Sequence, residues 1–264
     1  MIIIIGYIGA LLIGLILGLT GGGGSILTVP ILVYFLNYPP ITATAYSLFI
    51  VGITSAFGAV QNFRKGIVEV KTALLFAIPT FVAVFITRKF IVPEIPETII
   101  ELPFFILSKN NFLMLLFACI MLAASFSMLK SKKEKKSNKQ QSNFYLFTAI
   151  IKLILIGILI GLVGAGGGFL IVPALFFIAN MPMKKAVGSS ILIIAINSLI
   201  GFTGDIGNLV IDWQFLLSFS SVAIFGIFSG IYLTKYINEN QLKKGFGWFV
   251  LVMGIFIFTK ELFF

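Results

Sequence analysis

Long runs of apolar residues, separated by short groups of charged residues or of proline and glycine, fill almost the whole chain. Such runs reach the roughly 18 to 20 residues that a helix needs to cross about 30 Å of hydrocarbon, and none shows the alternating polarity of a membrane barrel strand. The pattern predicts ten segments in two sets of five. They lie at about residues 2–19, 25–37, 43–62, 72–87, 111–129, 144–162, 168–180, 186–204, 214–235 and 245–262.

The composition points to the same class of protein. Hydrophobic residues make up 59% of the 264 residues and charged residues only 11%, with a mean hydropathy of +1.12. Since a helix satisfies its own backbone in lipid, the predicted fold is an all-α polytopic membrane protein. The chain has no histidine and one cysteine, Cys119, which excludes an intrachain disulfide, a cysteine or histidine zinc site and histidine catalysis. We therefore expect no catalytic residue, metal or cofactor.

One hydrophilic run, KSKKEKKSNKQQSN from Lys130 to Asn143, separates a first half, residues 1–129, from a second half, residues 144–264. When the second half is shifted back by 143 positions, residues 161–213 align with residues 18–70 without a gap. At least fifteen of these 53 positions are identical, several of them Gly, Pro, Asn or Ser. Shared apolar composition does not explain such matches, so the chain contains an internal duplication.

The charges of equivalent loops predict that the two halves are inverted repeats of about five transmembrane segments each. With the 130–143 linker in the cytoplasm, fourteen basic and three acidic residues face inward, against four basic and six acidic residues outside. This asymmetry follows the positive-inside rule, and it accounts for the net charge of +10 without a nucleic-acid partner. If the short segments after the glycines only dipped into the membrane, the asymmetry would be unexplained. On this topology Arg88, Asp205, Asp212 and Glu261 lie in outer regions, and no acidic residue lies in the interior of a span.

Each half contains a glycine-rich stretch, GLTGGGGSILTVP from Gly18 and GLVGAGGGFLIVP from Gly161. Each glycine costs a helix about 1 kcal/mol relative to alanine, so we expect both helices to break there. Unwound backbone is tolerated at membrane depth only against protein or a wet cavity, which predicts that the broken helices meet near mid-membrane at a site between the repeats. The helix starts that follow would offer N–H groups and a positive dipole end to an anion, with Ser25 as a capping residue.

The candidate substrate-binding residues are the glycines of the two breaks and the polar residues that follow them. They are Gly21, Gly22, Gly23, Gly24, Ser25, Ser47, Gly164, Gly166, Gly167, Gly168, Ser189, Ser190 and Asn197. For any single hydroxyl, a hydrogen bond between helices is the simpler explanation. Lys152, the only charge that the predicted topology places inside a span rather than at its end, is a candidate counter-charge for an anion, although snorkelling to the cytoplasmic face explains it equally well. The spaced pairs Gly14/Gly18 and Gly157/Gly161 suit close helix packing instead.

The glycine stretches and the hydroxyl-containing segments AYSLFIVGITSAFG (Ala45–Gly58) and GSSILIIAINSLIG (Gly188–Gly201) resemble those of the TauE/SafE family of sulfite and organosulfur anion permeases. The resemblance covers both halves. It implies a permease that moves a small sulfur-containing oxyanion, such as sulfite, thiosulfate or a sulfonate, often outward, through a site between the repeats. The two copies differ where Ala45 and Tyr46 correspond to Gly188 and Ser189, so their half-sites are not chemically identical.

The predicted function is therefore export of such an anion across the plasma membrane by alternating access. The partners are the anion and the lipid bilayer, and homo-oligomerisation is left open. An alternative is a cation-coupled carrier or channel in which carbonyl groups at the breaks coordinate a cation. Neither glycine stretch has the lysine of a phosphate-binding loop or the spacing of a dinucleotide fingerprint. An enzyme is disfavoured, and the driving force must be a gradient or a partner.

Overall fold

Ten helices account for most of the described chain, and each coincides with one apolar segment of the sequence. The computed structural model describes residues 2–102, 105–129 and 143–263, so most of the linker lies outside it. The predicted all-α fold is confirmed, and five of the described helices are long and apolar enough to cross a membrane. The helices are α1 (Ile2–Thr20), α2 (Gly23–Pro30, extended by a π-helical turn, Ile31–Phe35), α3 (Pro40–Arg64), α4 (Val70–Ile86, extended by a π-helical turn, Thr87–Ile91, and by Val92–Glu94), α5 (Lys109–Leu129), α6 (Asn143–Val163), α7 (Gly168–Phe177), α8 (Met183–Asp205), α9 (Trp213–Leu233) and α10 (Glu239–Phe263).

A two-stranded antiparallel hairpin, β1 (Thr98–Leu102) and β2 (Phe105–Ser108), connects α4 to α5. The pattern of apolar segments did not predict this hairpin. Its residues are mostly Ile, Leu and Phe, which favour strands, but the segment is too short and too close to prolines to stand out among longer apolar runs. The hairpin belongs to the first half only.

The turns that lead into α3 and α8 have the same backbone conformation. Asn37 and Asn180, which the 143-residue shift superposes, are the two described non-glycine residues with positive φ, at 55° and 50°. Asparagine adopts this left-handed conformation more readily than most residues. Two residues later, Pro39 and Pro182 both have φ of −54° at the start of the next helix. The similarity of the two sequences therefore extends to their local structure.

Helices of one half pack mainly on helices of the other half. α1 packs against α9, and its counterpart α6 packs against α4, which is the counterpart of α9. α3 packs against α8, α5 against α10, and α2 meets α7. The buried hydrophobic clusters accordingly mix residues of both halves, as where Ala10 and Tyr46 pack with Phe202 and Phe219. The core of the protein lies between the halves rather than within either of them.

Glycine contacts show that α1 and α9 run parallel to each other. Gly14 lies beside Ala223, and Gly18 lies one turn further along beside Ile231. The equivalent glycines of α6 lie in the same order along α4, so that pair is parallel as well. Close approach of the two backbones in both pairs requires small residues at the contact.

The short helix α2 runs back along α1 and returns the chain to the end at which α1 began. Near its start Gly24 meets Leu17, and beyond its end Leu36 meets Gly6. The contacts between neighbouring helices show that the odd-numbered helices run in one direction and the even-numbered helices in the other. Equivalent helices, such as α1 and α6, therefore point in opposite directions. We call the end where α5 finishes and α6 begins the linker end, and the opposite end the far end.

The α1–α9 contact provides a test of the packing. A methyl group on Gly14 would overlap the carbonyl oxygen of Ala223. Gly14→Ala is expected to destabilise the protein by about 1–3 kcal/mol because the interface is already close-packed. Thermal unfolding of the purified protein in detergent measures the change. Gly245→Ala, at a helical position with open space around it, is the matched control and should leave the melting temperature unchanged or slightly raised. Equal melting temperatures for both variants would contradict the contact.

Candidate functional site

Both glycine stretches interrupt a helix, as the sequence predicts. α1 gives way to α2 at residues 21–22, and α6 gives way to α7 at residues 164–167. The first residue of each break, Gly21 and Gly164, has a left-handed backbone with φ of 71° and 67°. Since a Cβ atom disfavours this conformation, glycine at these two equivalent positions is what allows the chain to turn.

The two breaks touch each other. A methyl group on Gly22 would overlap the backbone of Gly168, and one on Gly168 would overlap Gly22. Gly168 also lies against Ile194, which is midway along α8. The backbones approach this closely because neither glycine has a side chain. The structure thus brings the glycines of both candidate half-sites together at the level of the middle of α8.

The breaks follow one another along α8. Gly21 lies beside Ser190, and Gly166 lies beside Ser198, which is about two turns nearer the far end. The contact between Gly22 and Gly168 falls between these two levels. The first break therefore occupies the linker side of the middle of the bundle, and the second break occupies the far side.

The hydroxyl of Thr20, and not that of Ser25, caps α2. Thr20 Oγ1 accepts a hydrogen bond from the N–H of Gly23 at 2.7 Å, whereas Ser25 Oγ donates to the carbonyl oxygen of Gly22 at 2.6 Å. The predicted capping role of Ser25 is wrong, because its side chain reaches back to a carbonyl from inside the first turn. Within the described chain no side chain caps α7, so the positive end of that helix is left uncompensated at the second break.

Buried polar groups without partners lie on α3 and α8, the two helices that contact the breaks. Five of them are fully buried, and within the described structure neither their hydroxyl groups nor Nδ2 of the asparagine has a hydrogen-bond partner. Leaving one such group unpaired costs about 1–3 kcal/mol. A ligand rich in acceptor atoms would satisfy them. The five residues, which we call the donor row, are Ser47, Thr54 and Ser55 of α3 and Asn197 and Ser198 of α8.

Four of the five predicted polar ligands already have partners within the protein: Ser25, as described above, Asn197, whose Oδ1 accepts from Thr80 Oγ1 at 3.1 Å, Ser189 and Ser190. Ser190 Oγ donates to the carbonyl oxygen of Gly21 at 2.6 Å, and Ser189 Oγ accepts from the N–H of Glu69 at 2.9 Å. Ser47, the counterpart of Ser190, makes no such bond. The two half-sites therefore differ in chemistry. Ser190 holds the first break in place, while Ser47 remains available to a ligand.

The cation buried beside the second break is Arg88 and not Lys152. Lys152 is exposed on α6, about three turns before the break. Arg88, in the π-helical turn of α4, is fully buried. Its Nη2 and Nε lie 2.7 Å and 2.8 Å from Oδ2 of Asp205, the last residue of α8. Nη1 donates to Oγ1 of Thr44 at 3.2 Å and to the carbonyl oxygen of Gly161 at 3.4 Å.

This ion pair corrects the prediction that Arg88 and Asp205 lie in outer regions. The helix that carries Arg88 continues past its apolar segment to Glu94, and Asp205 remains within its helix, 4% exposed. One signal in the sequence could have indicated the pair. Under the 143-residue shift the two charges, of opposite sign, both replace uncharged residues of the other half.

Two cavities open away from the glycine contact. A groove of about 440 Å³ between α3 and α8, near the linker end, is lined almost entirely by apolar side chains. A cavity of about 500 Å³ at the far end is lined by Tyr7, Tyr38 and Asp212 among others. Burial, with the nearby Tyr46 and Asp212, raises the pKa of Tyr38. Among the described residues no group of three His, Cys, Asp or Glu side chains could hold a metal ion. The conformation is closed where the two breaks meet.

Comparisons with known proteins agree with this architecture. The family model described as "Sulfite exporter TauE/SafE" matches residues 6–257. A "Probable membrane transporter protein" of Xylella fastidiosa (strain 9a5c) is 29% identical over 256 residues, which cover 95% of this chain and 92% of the relative. The "Probable membrane transporter protein YdhB" of Bacillus subtilis (strain 168) is 26% identical over 234 residues, covering 88% and 91%. No solved structure matches the chain significantly.

The match to the family model spans nearly the whole chain and includes both glycine breaks, the donor row and the Arg88–Asp205 pair. Both relatives are named as probable membrane transporter proteins, and this chain aligns with almost the full length of each. The chain therefore belongs to the sulfite exporter TauE/SafE family and is a multi-pass membrane transporter.

Proposed function

We propose that the protein exports a small sulfur-containing oxyanion, such as sulfite, thiosulfate or a sulfonate, across the plasma membrane by alternating access. The observation that carries this proposal is the contact between the two glycine breaks beside the unpaired donor row. An oxyanion has acceptor atoms only, so it complements hydroxyl and amide donors that the protein leaves unsatisfied. Membership of a family described as sulfite exporters supports a sulfur oxyanion, rather than another anion, as the substrate.

The proposed site combines main-chain and side-chain donors. The uncapped start of α7, at Gly168, supplies N–H groups and the positive end of a helix dipole, and the glycines before it let an anion approach the backbone. Ser47, Asn197 and Ser198 supply side-chain donors from two different helices. Because Gly22 and Gly168 are in contact, the anion enters only when the two breaks separate.

Alternating access follows from the relation between the halves. We take residues 1–129 and 144–264 as two inverted repeats joined by the 130–143 linker. The opposite directions of equivalent helices and the matched turns at Asn37 and Asn180 support this assignment. In inverted-repeat carriers, rocking of one repeat against the other around a fixed site exposes that site to each side in turn.

Export is the direction that the membrane potential favours for an anion. Basic residues such as Arg64, Lys71 and Lys184 lie at the linker end, which the positive-inside rule assigns to the cytoplasm. With the cytoplasm negative, each negative charge moved outward gains about 2.3 kcal/mol per 100 mV. The potential can therefore drive net export.

A cation site built from the carbonyl groups of the breaks is less well supported. The carbonyl oxygen of Gly21 accepts a hydrogen bond from Ser190, and that of Gly22 accepts bonds from both the N–H and the hydroxyl of Ser25. A cation at the first break would have to displace these donors. The groups that remain unpaired near the breaks are mostly donors, which suits an anion.

Flux measurements test the proposed function. Purified protein in liposomes is expected to move radiolabelled sulfite or thiosulfate saturably, with outward movement accelerated by an inside-negative potential. Gly22→Ala should reduce the flux to background, because its methyl group overlaps Gly168. Gly245→Ala, with open space around the substituted residue, should transport normally. A cation current that does not depend on the anion would instead support the channel or cation-coupled carrier.

Ser47 and Ser190 form a matched pair for a test of the donor row. Ser47→Ala should make the empty protein as stable as the wild type or more stable, since it removes a buried hydroxyl that has no partner, and should weaken anion binding about fivefold. Ser190→Ala should lower the free energy of unfolding by about 1 kcal/mol, because the Gly21 carbonyl loses its donor. Thermal unfolding with and without sulfite measures both effects. Wild-type affinity in Ser47→Ala would remove this residue from the site.

Cysteine labelling tests the inverted arrangement. In a Cys119→Ser background, Lys71→Cys and Asn208→Cys place single exposed cysteines at the linker end and at the far end. A membrane-impermeant thiol reagent applied to intact cells should label Asn208→Cys, and should label Lys71→Cys only after the cells are permeabilised. Equal labelling of both variants in intact cells would contradict five crossings per half.

A further inference from the structure

Arg88 and Asp205 form a buried ion pair that joins four helices at the far end of the bundle. The guanidinium group on α4 contacts the carboxylate of Asp205 on α8, the hydroxyl of Thr44 on α3 and the carbonyl oxygen of Gly161 on α6. Removing two charges from water carries a large desolvation penalty that their mutual attraction often fails to offset. Stability alone gives no reason to bury this pair.

The other half of the protein has uncharged residues at the equivalent positions. Under the 143-residue shift Ile231 corresponds to Arg88 and Asn62 corresponds to Asp205, and both of these uncharged residues are buried. Gly161 packs against Thr87 as Gly18 packs against Gly230, whereas Gly204, which lies against Arg88, corresponds to Gln61. The other half thus reaches similar helix packing without a charged pair, which indicates that the charges at the far end have a role beyond packing.

Thr44 connects the ion pair to the second glycine break. Its hydroxyl oxygen accepts from Arg88, and its Cα and Cβ atoms lie against Gly164. One turn further along α3 is Ser47, the first residue of the donor row, which is fully buried and unpaired. Arg88 thus lies where the row of unpaired donors reaches the far end of the bundle.

The geometry of the pair leaves part of the guanidinium group weakly satisfied. A single carboxylate oxygen, Oδ2 of Asp205, accepts from both Nε and Nη2. The contacts to Thr44 and Gly161 are longer, at 3.2–3.4 Å. Guanidinium groups recognise oxyanions through two parallel N–H donors, and an anion with three oxygen atoms can engage more of the fork than this carboxylate does.

We propose that Arg88 binds the transported sulfur oxyanion at the far end of the donor row, and that Asp205 holds the guanidinium group when no anion is present. Arrival of the anion exchanges one partner of Arg88 for another. The exchange releases α8 from α4 and opens this end of the path. The inference rests on the proposed function, because it identifies the cation that recognises that same substrate.

Two variants distinguish anion binding by Arg88 from a purely stabilising role of the ion pair. In Asp205→Asn the guanidinium group keeps Thr44 and Gly161 but loses the competing carboxylate, so sulfite or thiosulfate should bind roughly tenfold more tightly. In the double variant Arg88→Ile/Asp205→Asn the far end carries the residues that the other half already has at the equivalent positions. It is therefore expected to fold and to lose the Arg88-dependent affinity. Lys89→Gln, which removes the exposed neighbouring cation, is the control and should bind as the wild type does.

Binding is measured as the anion-dependent thermal shift of purified protein against sodium chloride of equal ionic strength, and transport as flux in liposomes. Tighter binding in the single variant together with its loss in the folded double variant supports the inference. Weaker binding in Asp205→Asn, or equal binding in the wild type and the double variant, overturns it while leaving the proposed function intact. If the wild type neither binds nor moves any sulfur oxyanion, the proposed function fails and this inference fails with it.

Discussion

Two polypeptide backbones meet at Gly22 and Gly168, and the rest of the structure depends on that contact. An unwound backbone is tolerated within a membrane only when protein or water covers it. Here each break is covered by the other break and by α3 and α8. Close approach of α1 to α9 and of α6 to α4, through glycines in both pairs, brings the two halves near enough for this to happen. The residues that interrupt the helices therefore also create the interface between the halves.

The scaffold is nearly symmetric, but the chemistry on it is not. Gly21 and Gly164 make the same left-handed turn, and the helices around them pack in equivalent pairs. On this shared frame Ser190 is paired where Ser47 is free, and Arg88 stands where the other half has Ile231. In the proposed alternating-access mechanism, a symmetric frame would give two conformations of similar energy, one open to each side. Asymmetric side chains would then make the two ends respond differently to the same ligand.

Much of the fold could be predicted because its determinants are local. Apolar length, glycine runs and prolines indicated all ten helices and both breaks, and the shift of 143 residues related the halves. The candidate site was only partly predictable, because the role of each polar side chain depends on the groups that it contacts in the folded protein. Ser47 and Ser190 are identical in sequence, yet only one finds an acceptor across the interface. Arg88 and Asp205 lie 117 residues apart, so no local pattern shows that their charges are buried together. Ser25 was misassigned because its hydroxyl could reach either an amide or a carbonyl.

In the proposed mechanism, the site must bind an anion and still release it. A serine or threonine hydroxyl in a helix can rotate toward a carbonyl oxygen of the preceding turn, as Thr80 does toward Phe76. The hydroxyl groups of the donor row make no such bond in this structure, so they remain unpaired. Arg88 differs, because Asp205 is an internal partner that an anion would have to displace. An anion that replaces Asp205 gains from Arg88 only the difference between the two interactions. A modest difference limits affinity, and limited affinity is what allows the anion to leave on the other side of the membrane.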